Sequence, residues 1–130
     1  VQAEPAPAAG FRLEEATMVR ISDRPWSDID KPGDYEDAVD YCAACLINLN
    51  DSPREDWVKA KCKLPVYEPK RMGRALNRNA VIAAAAALAG ARGGVDAPPE
   101  EKRRAARKLL QFYRELEMEP PESLKRIAGG

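Results

Sequence analysis

Histidine is absent from all 130 residues. That removes the commonest general base and the imidazole metal ligand, and with them the serine–histidine and cysteine–histidine nucleophile pairs. Ser22, Ser27, Ser52 and Ser123 therefore have no imidazole partner, and nothing marks a serine–lysine arrangement. Carboxylates are plentiful, but Asp28 and Asp30 read as turn or cap residues. Glu115, Glu117 and Glu119 alternate and do not share one helical face. The sequence predicts no enzyme, with no catalytic residue, metal site or cofactor.

Aromatic residues are also scarce, at 6%, and many of the 45% hydrophobic residues are alanines that bury little area each. A thin core in one small domain follows, with partners contributing to stability. Charge of one sign is not in excess: Lys plus Arg and Asp plus Glu both number 21. This excludes a polycation that coats nucleic acid, although local patches remain open. Long apolar runs are missing too. The longest, Ala80 to Ala91, is too short and alanine-rich to cross a membrane, and the opening residues show no secretory signal pattern.

Only three cysteines occur, Cys42, Cys45 and Cys62. A C-x-x-C pair suggests redox work or half a metal site, yet a tetrahedral zinc site wants four ligands. Redox chemistry of the thioredoxin kind wants a preceding strand and an exposed thiol of low pKa. "DYCAACLINL" reads instead as helix interior, so buried structural thiols are the favoured reading. A disulfide through Cys62 comes second and metal or redox work third.

What is present falls into an N-terminal arm and a compact remainder. "VQAEPAPAAG" has nothing to pack and reads as extended or flexible. "FRLEEATMVRIS" mixes Phe11, Leu13, Met18, Val19 and Ile21 with charges, as would an arm along a neighbouring subunit or an ordinary edge strand. Residues 1–24 are assigned to this arm, 25–127 to a small mostly helical domain and 128–130 to a flexible tail. The fold class expected is mainly α with a short extended or β segment.

Within the domain, Ala38, Tyr41, Cys42, Cys45, Leu46 and Leu49 recur at helical spacing and predict a helix from about Tyr35 to Leu49, capped by Asp34. "VKAKCKLP" alternates from Val58 and predicts an extended segment, with Pro65 pointing to an edge or strand end. "ALNRNAVIAAAAALAGARGGV" predicts a helix capped by Asn77 or Asn79. Val81, Ile82, Ala85 and Leu88 or Ala89 would face a partner helix that the small alanines let close. Gly90 suits its C-terminal cap. "GARGGV" follows a helix instead of leading a strand into one and lacks "GK[ST]", so it is not a phosphate loop. "PPEEKRRAARKLLQFYREL" predicts the last long helix, entered through Pro98 and Pro99, and "PESLKRI" a further short turn with Leu124 and Ile127 inward.

Two features are candidate contact surfaces. Lys102, Arg103, Arg104, Arg107 and Lys108 cover a wide face of the last long helix. A solvated face beside acidic neighbours is the favoured reading, and phosphate contact the other. Trp26 and Trp57 either plug the core or dock on a partner. Trp26, nearer the arm, is the better interface candidate, together with Phe11, Leu13, Met18, Val19 and Ile21.

The stretches "KCKLPVYEP", "ALNRNAVIAAAAALAGARGGV", "PPEEKRRAARKLLQFYREL" and "PPESL" resemble a small module encoded among tailed-phage head genes, within or beside prohead protease and other head proteins. In that module a tryptophan and acidic stretch leads to an extended "KLP" piece, and an alanine-rich helix precedes a "PPE" start to a basic helix. The resemblance spans roughly Pro25 to Leu124. It rests on Trp26, Lys63, Leu64, Pro65, Asn77, Asn79, Ala83 to Ala86, Gly93, Gly94, Pro99, Ala106, Leu109, Tyr113, Pro121, Glu122 and Leu124, all of structural character. A protease domain does not fit this length.

The resemblance implies a non-enzymatic virion structural protein that binds or decorates the capsid shell and stabilises the head. Its expected partners are the major capsid protein or other head proteins, with a homo-oligomer as a candidate state and no membrane. It would reside in the virion, and in the host cytoplasm during assembly. The alternative is a DNA-binding or DNA-packaging accessory using the basic face of the last long helix.

Overall fold

Asn77 is fully buried and joins three separate stretches of the chain. Its Oδ1 accepts the backbone N–H of Ala80 at 2.8 Å, which caps the following helix. Its Nδ2 donates to Arg24 O at 3.0 Å and to Glu68 Oε2 at 2.9 Å. The computed structural model describes residues 20–31 and 33–129, and this one side chain ties the start of that span to its middle. Replacing Asn77 by Ala removes the cap and leaves the buried Glu68 carboxylate without its closest donor. We expect a loss of about 2 kcal/mol in urea unfolding. Asn77→Asp, which keeps the cap but sets a second carboxylate against Glu68, should not restore stability.

The strands are short and pair in twos. β1 (Ile21–Ser22) runs parallel to β4 (Leu76–Asn77) with Ile21 opposite Leu76, and β2 (Cys45–Asn48) runs antiparallel to β3 (Cys62–Pro65) with Ile47 opposite Lys63. Four α-helices are found among the described residues: α1 (Ala38–Ala44), α2 (Arg78–Leu88), α3 (Pro99–Glu115) and α4 (Glu122–Gly129). The chain is thus mostly helical with short β pairings, the class its sequence predicts.

The alanines of α2 do what their size suggests. Ala80, Val81, Ala84, Ala85 and Leu88 bury one face, and Ala105, Ala106 and Leu109 of α3 belong to the same core. Small side chains on both helices permit close approach, and alanine's helix propensity offsets part of the lost burial. Ile82, expected to face the partner helix, is 46% exposed instead. It lies a full 100° round the helix from Val81, and Val81 holds the inward position. Gly90 (φ +113°) ends the helix in the left-handed conformation that suits glycine. α3 ends without glycine, with Glu117 adopting φ +58° and the Met118 N–H reaching back to Tyr113 O at 2.9 Å.

A smaller cluster of Ile29, Tyr35 and Ala44 sits beside the main core, and Trp26 and Tyr67 pack against both. The Tyr35 hydroxyl donates to Tyr67 O at 2.5 Å, so the two clusters are joined by a polar link as well as by packing.

Several expectations need correction. The helix predicted from Tyr35 to Leu49 begins at Ala38 and stops at Ala44, after which Cys45–Asn48 is strand. Its cap is Asp37, whose Oδ1 accepts the Asp40 N–H at 2.9 Å, while Asp34 instead accepts the Asp30 N–H. The extended piece begins at Cys62, since Lys59–Lys61 forms a 3-10 turn. Cys42 and Cys62 are joined in a disulfide with Cα atoms 5.4 Å apart. The second reading, a disulfide through Cys62, is thus the one found: Cys42 and Cys62 are buried but paired, and Cys45 alone is a free thiol, partly buried. Residues 21–24, expected in the arm, are built into the domain through β1 and the carbonyls of Asp23 and Arg24. Ala128, expected in a flexible tail, is buried in the core on α4.

Candidate docking groove

Pro25 fixes the entry to a 3-10 turn over Trp26–Asp28. The segment before it is stapled to the start of α2, because Asn79 Nδ2 donates to Asp23 O at 3.2 Å and Arg24 O at 3.1 Å. This staple lays Trp26 along α2. Lys31 Nζ then donates to Trp26 O and Ile29 O, both at 2.8 Å, and lies 4.4 Å from the indole centroid, a cation–π contact. The indole is covered by Lys31 and remains half-buried.

Beside it opens a groove of about 380 Å³, within the range of ligand-sized clefts. Trp26, Ser27 and Lys31 form one wall, Ala80, Ala83, Ala84 and Ala87 of α2 line another, and Tyr41, Leu64 and Pro65 complete it. Alanines supply apolar surface without filling space, so the groove exists because α2 has no long side chain here. Leu64 holds φ +63°, a left-handed conformation that costs a β-carbon residue about 1 kcal/mol or more. That strain falls within the groove lining.

Two ionisable groups at the groove, Tyr41 and its neighbour Cys45, are held in their neutral forms by burial. Burial pushes the thiol of Cys45 up to about 12, despite a hydrogen bond from Tyr41 that lowers it. Burial likewise raises the Tyr41 phenol well above its ordinary range, with the neighbouring Cys45 adding to the effect. Both groups are neutral near pH 7, and a neutral thiol is neither a good nucleophile nor a metal ligand. Among the described residues no group of three or more Cys, Asp or Glu side chains could hold a metal ion.

The buried polar side chains are spent on architecture. Asp40 accepts from the backbone N–H groups of Glu36 (2.8 Å) and Lys70 (3.2 Å) and pairs with Arg74. Glu68 accepts from Asn77 and lies 3.5 Å from Arg24 Nε.

Of the residues singled out in the sequence, Trp26 is in the groove and Ile21, in β1, is 45% exposed. Phe11, Leu13, Met18 and Val19 lie outside the described residues. The basic face of α3 exists but is partly engaged within the molecule. Arg104 pairs with Glu101 at 2.9 Å, Arg107 Nε donates to Ala128 O at 3.3 Å, and Lys108 Nζ lies 5.3 Å from the Phe112 ring. Lys102 and Arg103 are half-buried on the same helix. Trp57 packs on its own turn, donating to Ser52 O at 3.2 Å with the Arg54 guanidinium 5.6 Å from its ring.

Sequence reasoning missed Tyr41 and Leu64 as groove residues, because their neighbours come from segments far apart in the chain. Among the described residues no helix is long and apolar enough to cross a membrane. No family model, curated protein or solved structure matches this chain.

Proposed function

We propose that this chain is a non-enzymatic structural component of a phage head, which binds or decorates the capsid shell and stabilises it. The observation that carries the reading is the Trp26 groove: apolar, walled by alanine, flanked by a neutral thiol and phenol, and better suited to receiving a protein segment than to chemistry. Two further points support it. The resemblance of Pro25 to Leu124 to a head-gene module gives the partner class. The Cys42–Cys62 disulfide staples a domain whose alanine-rich core is thin, as suits a protein that persists on a particle outside the reducing cytosol.

Cosedimentation with assembled, DNA-free heads tests the proposal. Full-length chain should bind saturably, and a version lacking residues 1–19, which spares β1, should bind less tightly. Trp26→Ala should weaken binding roughly tenfold or more, the effect of losing a buried aromatic anchor. Absence of binding to heads in every maturation state overturns the reading.

A second reading, DNA contact through α3, draws on the exposure of Arg104, Arg107 and Lys108. It requires duplex binding that weakens steeply with salt. The intramolecular contacts already made by all three side chains favour the shell reading over it.

A further inference from the structure

We propose that the Cys42–Cys62 disulfide is a redox switch for the Trp26 groove: oxidised, it holds one wall of the groove in place, and reduction by a dithiol releases that wall. This deepens the proposed function and rests on it for the groove's role, while the switch itself can be read without a shell.

The bond joins the two elements that carry the wall. Tyr41, which lines the groove, immediately precedes Cys42 on α1, and Leu64 and Pro65 follow Cys62 on β3. The cross-link keeps those elements together with Cα atoms 5.4 Å apart. Their other backbone ties are short. β2, which continues α1, pairs with β3 over Cys45–Asn48, and the Val66 N–H donates to Ala44 O at 2.9 Å. Leu64 sits among these ties at φ +63°, a strained conformation that persists only while its surroundings hold it. A covalent anchor two residues before it is one such restraint, so cutting the bond frees the strained part of the wall first.

Both sulfurs are buried, with Cys42 and Cys62 each 4% exposed, yet their cover is light. Asn50 Nδ2 lies 3.7 Å and 3.5 Å from them. Asn50 is held in turn by Asn48 Oδ1 at 2.8 Å and by Val58, whose N–H donates to Asn50 Oδ1 at 3.0 Å and whose O accepts from Nδ2 at 3.2 Å. Among the described residues, none of 50–61 belongs to either core cluster. The cover therefore opens by breaking a few hydrogen bonds, with the core intact, which admits a small dithiol. One reagent thiolate attacks a sulfur, the S–S bond breaks, and the other sulfur leaves as a thiolate beside the Asn50 amide and takes a proton from water. The second reagent thiol then attacks the mixed disulfide. The reagent departs as its own disulfide and the chain is left with two thiols.

The full-length Trp57→Phe chain tests the switch, because Trp26 is then its single indole. It is compared before and after dithiothreitol, with loss of the bond checked by mass after alkylation. Reduction should raise acrylamide quenching of Trp26 about twofold, and amide exchange at Leu64 and Val66 about tenfold, while circular dichroism and the protection of α2 and α3 are kept. Cys42→Ser/Cys62→Ser in the same background should behave as the reduced chain and ignore dithiothreitol. Cosedimentation with DNA-free heads should weaken roughly fivefold on reduction. By linkage, bound heads should then disfavour reduction by the same factor.

A fully reduced chain whose Trp26 and wall are unchanged overturns the proposal. Loss of the whole fold on reduction overturns it too, since the bond would then be a general staple and not a control on the groove. Heads that bind both forms equally sink the switch and leave the shell reading standing. Heads that bind neither form, while Trp26 and the wall respond as expected, sink the shell reading and leave the switch.

Discussion

Asp40→Ala should cost about 4 kcal/mol, because it strips the partner from a half-buried guanidinium and orphans backbone donors at the same time. Asp40 is 5% exposed. Its Oδ2 accepts the Glu36 N–H at 2.8 Å, its Oδ1 accepts the Lys70 N–H at 3.2 Å, and Oδ1 also pairs with Arg74. Arg74 further donates to Asp40 O at 2.9 Å and itself sits at φ +55°, a backbone conformation that the paired side chain helps hold. One carboxylate thereby fixes the entry to α1, the 3-10 turn over Lys70–Met72 and the approach to β4.

The loss is a large share of the 5–15 kcal/mol that keeps a typical domain folded. It should appear as a fall in Tm of roughly 12–20 °C. Asp40→Asn retains an acceptor for one N–H but turns an amide toward the guanidinium, and should recover only part of the loss. A double-mutant cycle with Arg74→Ala should show strong coupling, since most of the single-mutant cost is the stranded charge. A loss below about 1 kcal/mol for Asp40→Ala would refute the assignment.

Asp40 also shows where the sequence stops being legible. "GDYEDAVDYC" places Asp34, Asp37 and Asp40 three residues apart, and each is a chemically sound helix cap. Local rules cannot choose among them. The choice is made by Lys70 and Arg74, thirty and thirty-four residues on, which draw Asp40 inside and leave the cap to Asp37.

The same cause shortened α1. Cys42, Cys45, Leu46 and Leu49 satisfy the helical period, yet Ile47, which falls outside that stripe, is the residue buried to 0%. Once β3 offers backbone partners at Lys63 and Cys62, alternation wins over the 3.6-residue period. By contrast α2, α3 and α4 follow their caps, prolines and apolar stripes closely, because their local signals and their tertiary contacts agree. For the groove, Trp26 was readable as a candidate contact residue. Its walls were not, since an alanine that lines a cleft and one that packs a helix pair look alike in sequence.

Reducing the Cys42–Cys62 disulfide should lower stability by about 3 kcal/mol, the loop-closure value for residues separated by 20 positions. For a domain of this size that corresponds to a fall in Tm of roughly 9–15 °C. The bond ties the middle of α1 to the start of β3, and Asn50 Nδ2 lies 3.7 Å and 3.5 Å from the two sulfurs while donating to Asn48 Oδ1 and Val58 O. Residues 49–61, which carry 3-10 turns and little core, are the stretch this staple confines. Reduction should therefore loosen that stretch first, seen as faster amide exchange over residues 50–61 while α2 and α3 keep their protection. A Cys42→Ser/Cys62→Ser pair should match the reduced protein in Tm, and should not respond to dithiothreitol. Cys45, its thiol pushed up by burial to about 12, should stay unalkylated at pH 8 until the domain unfolds. Equal stability with and without reductant would show that the staple is not what holds this thin core together. A fall of the expected size would show that this covalent link makes up for part of what the alanine-rich core does not bury.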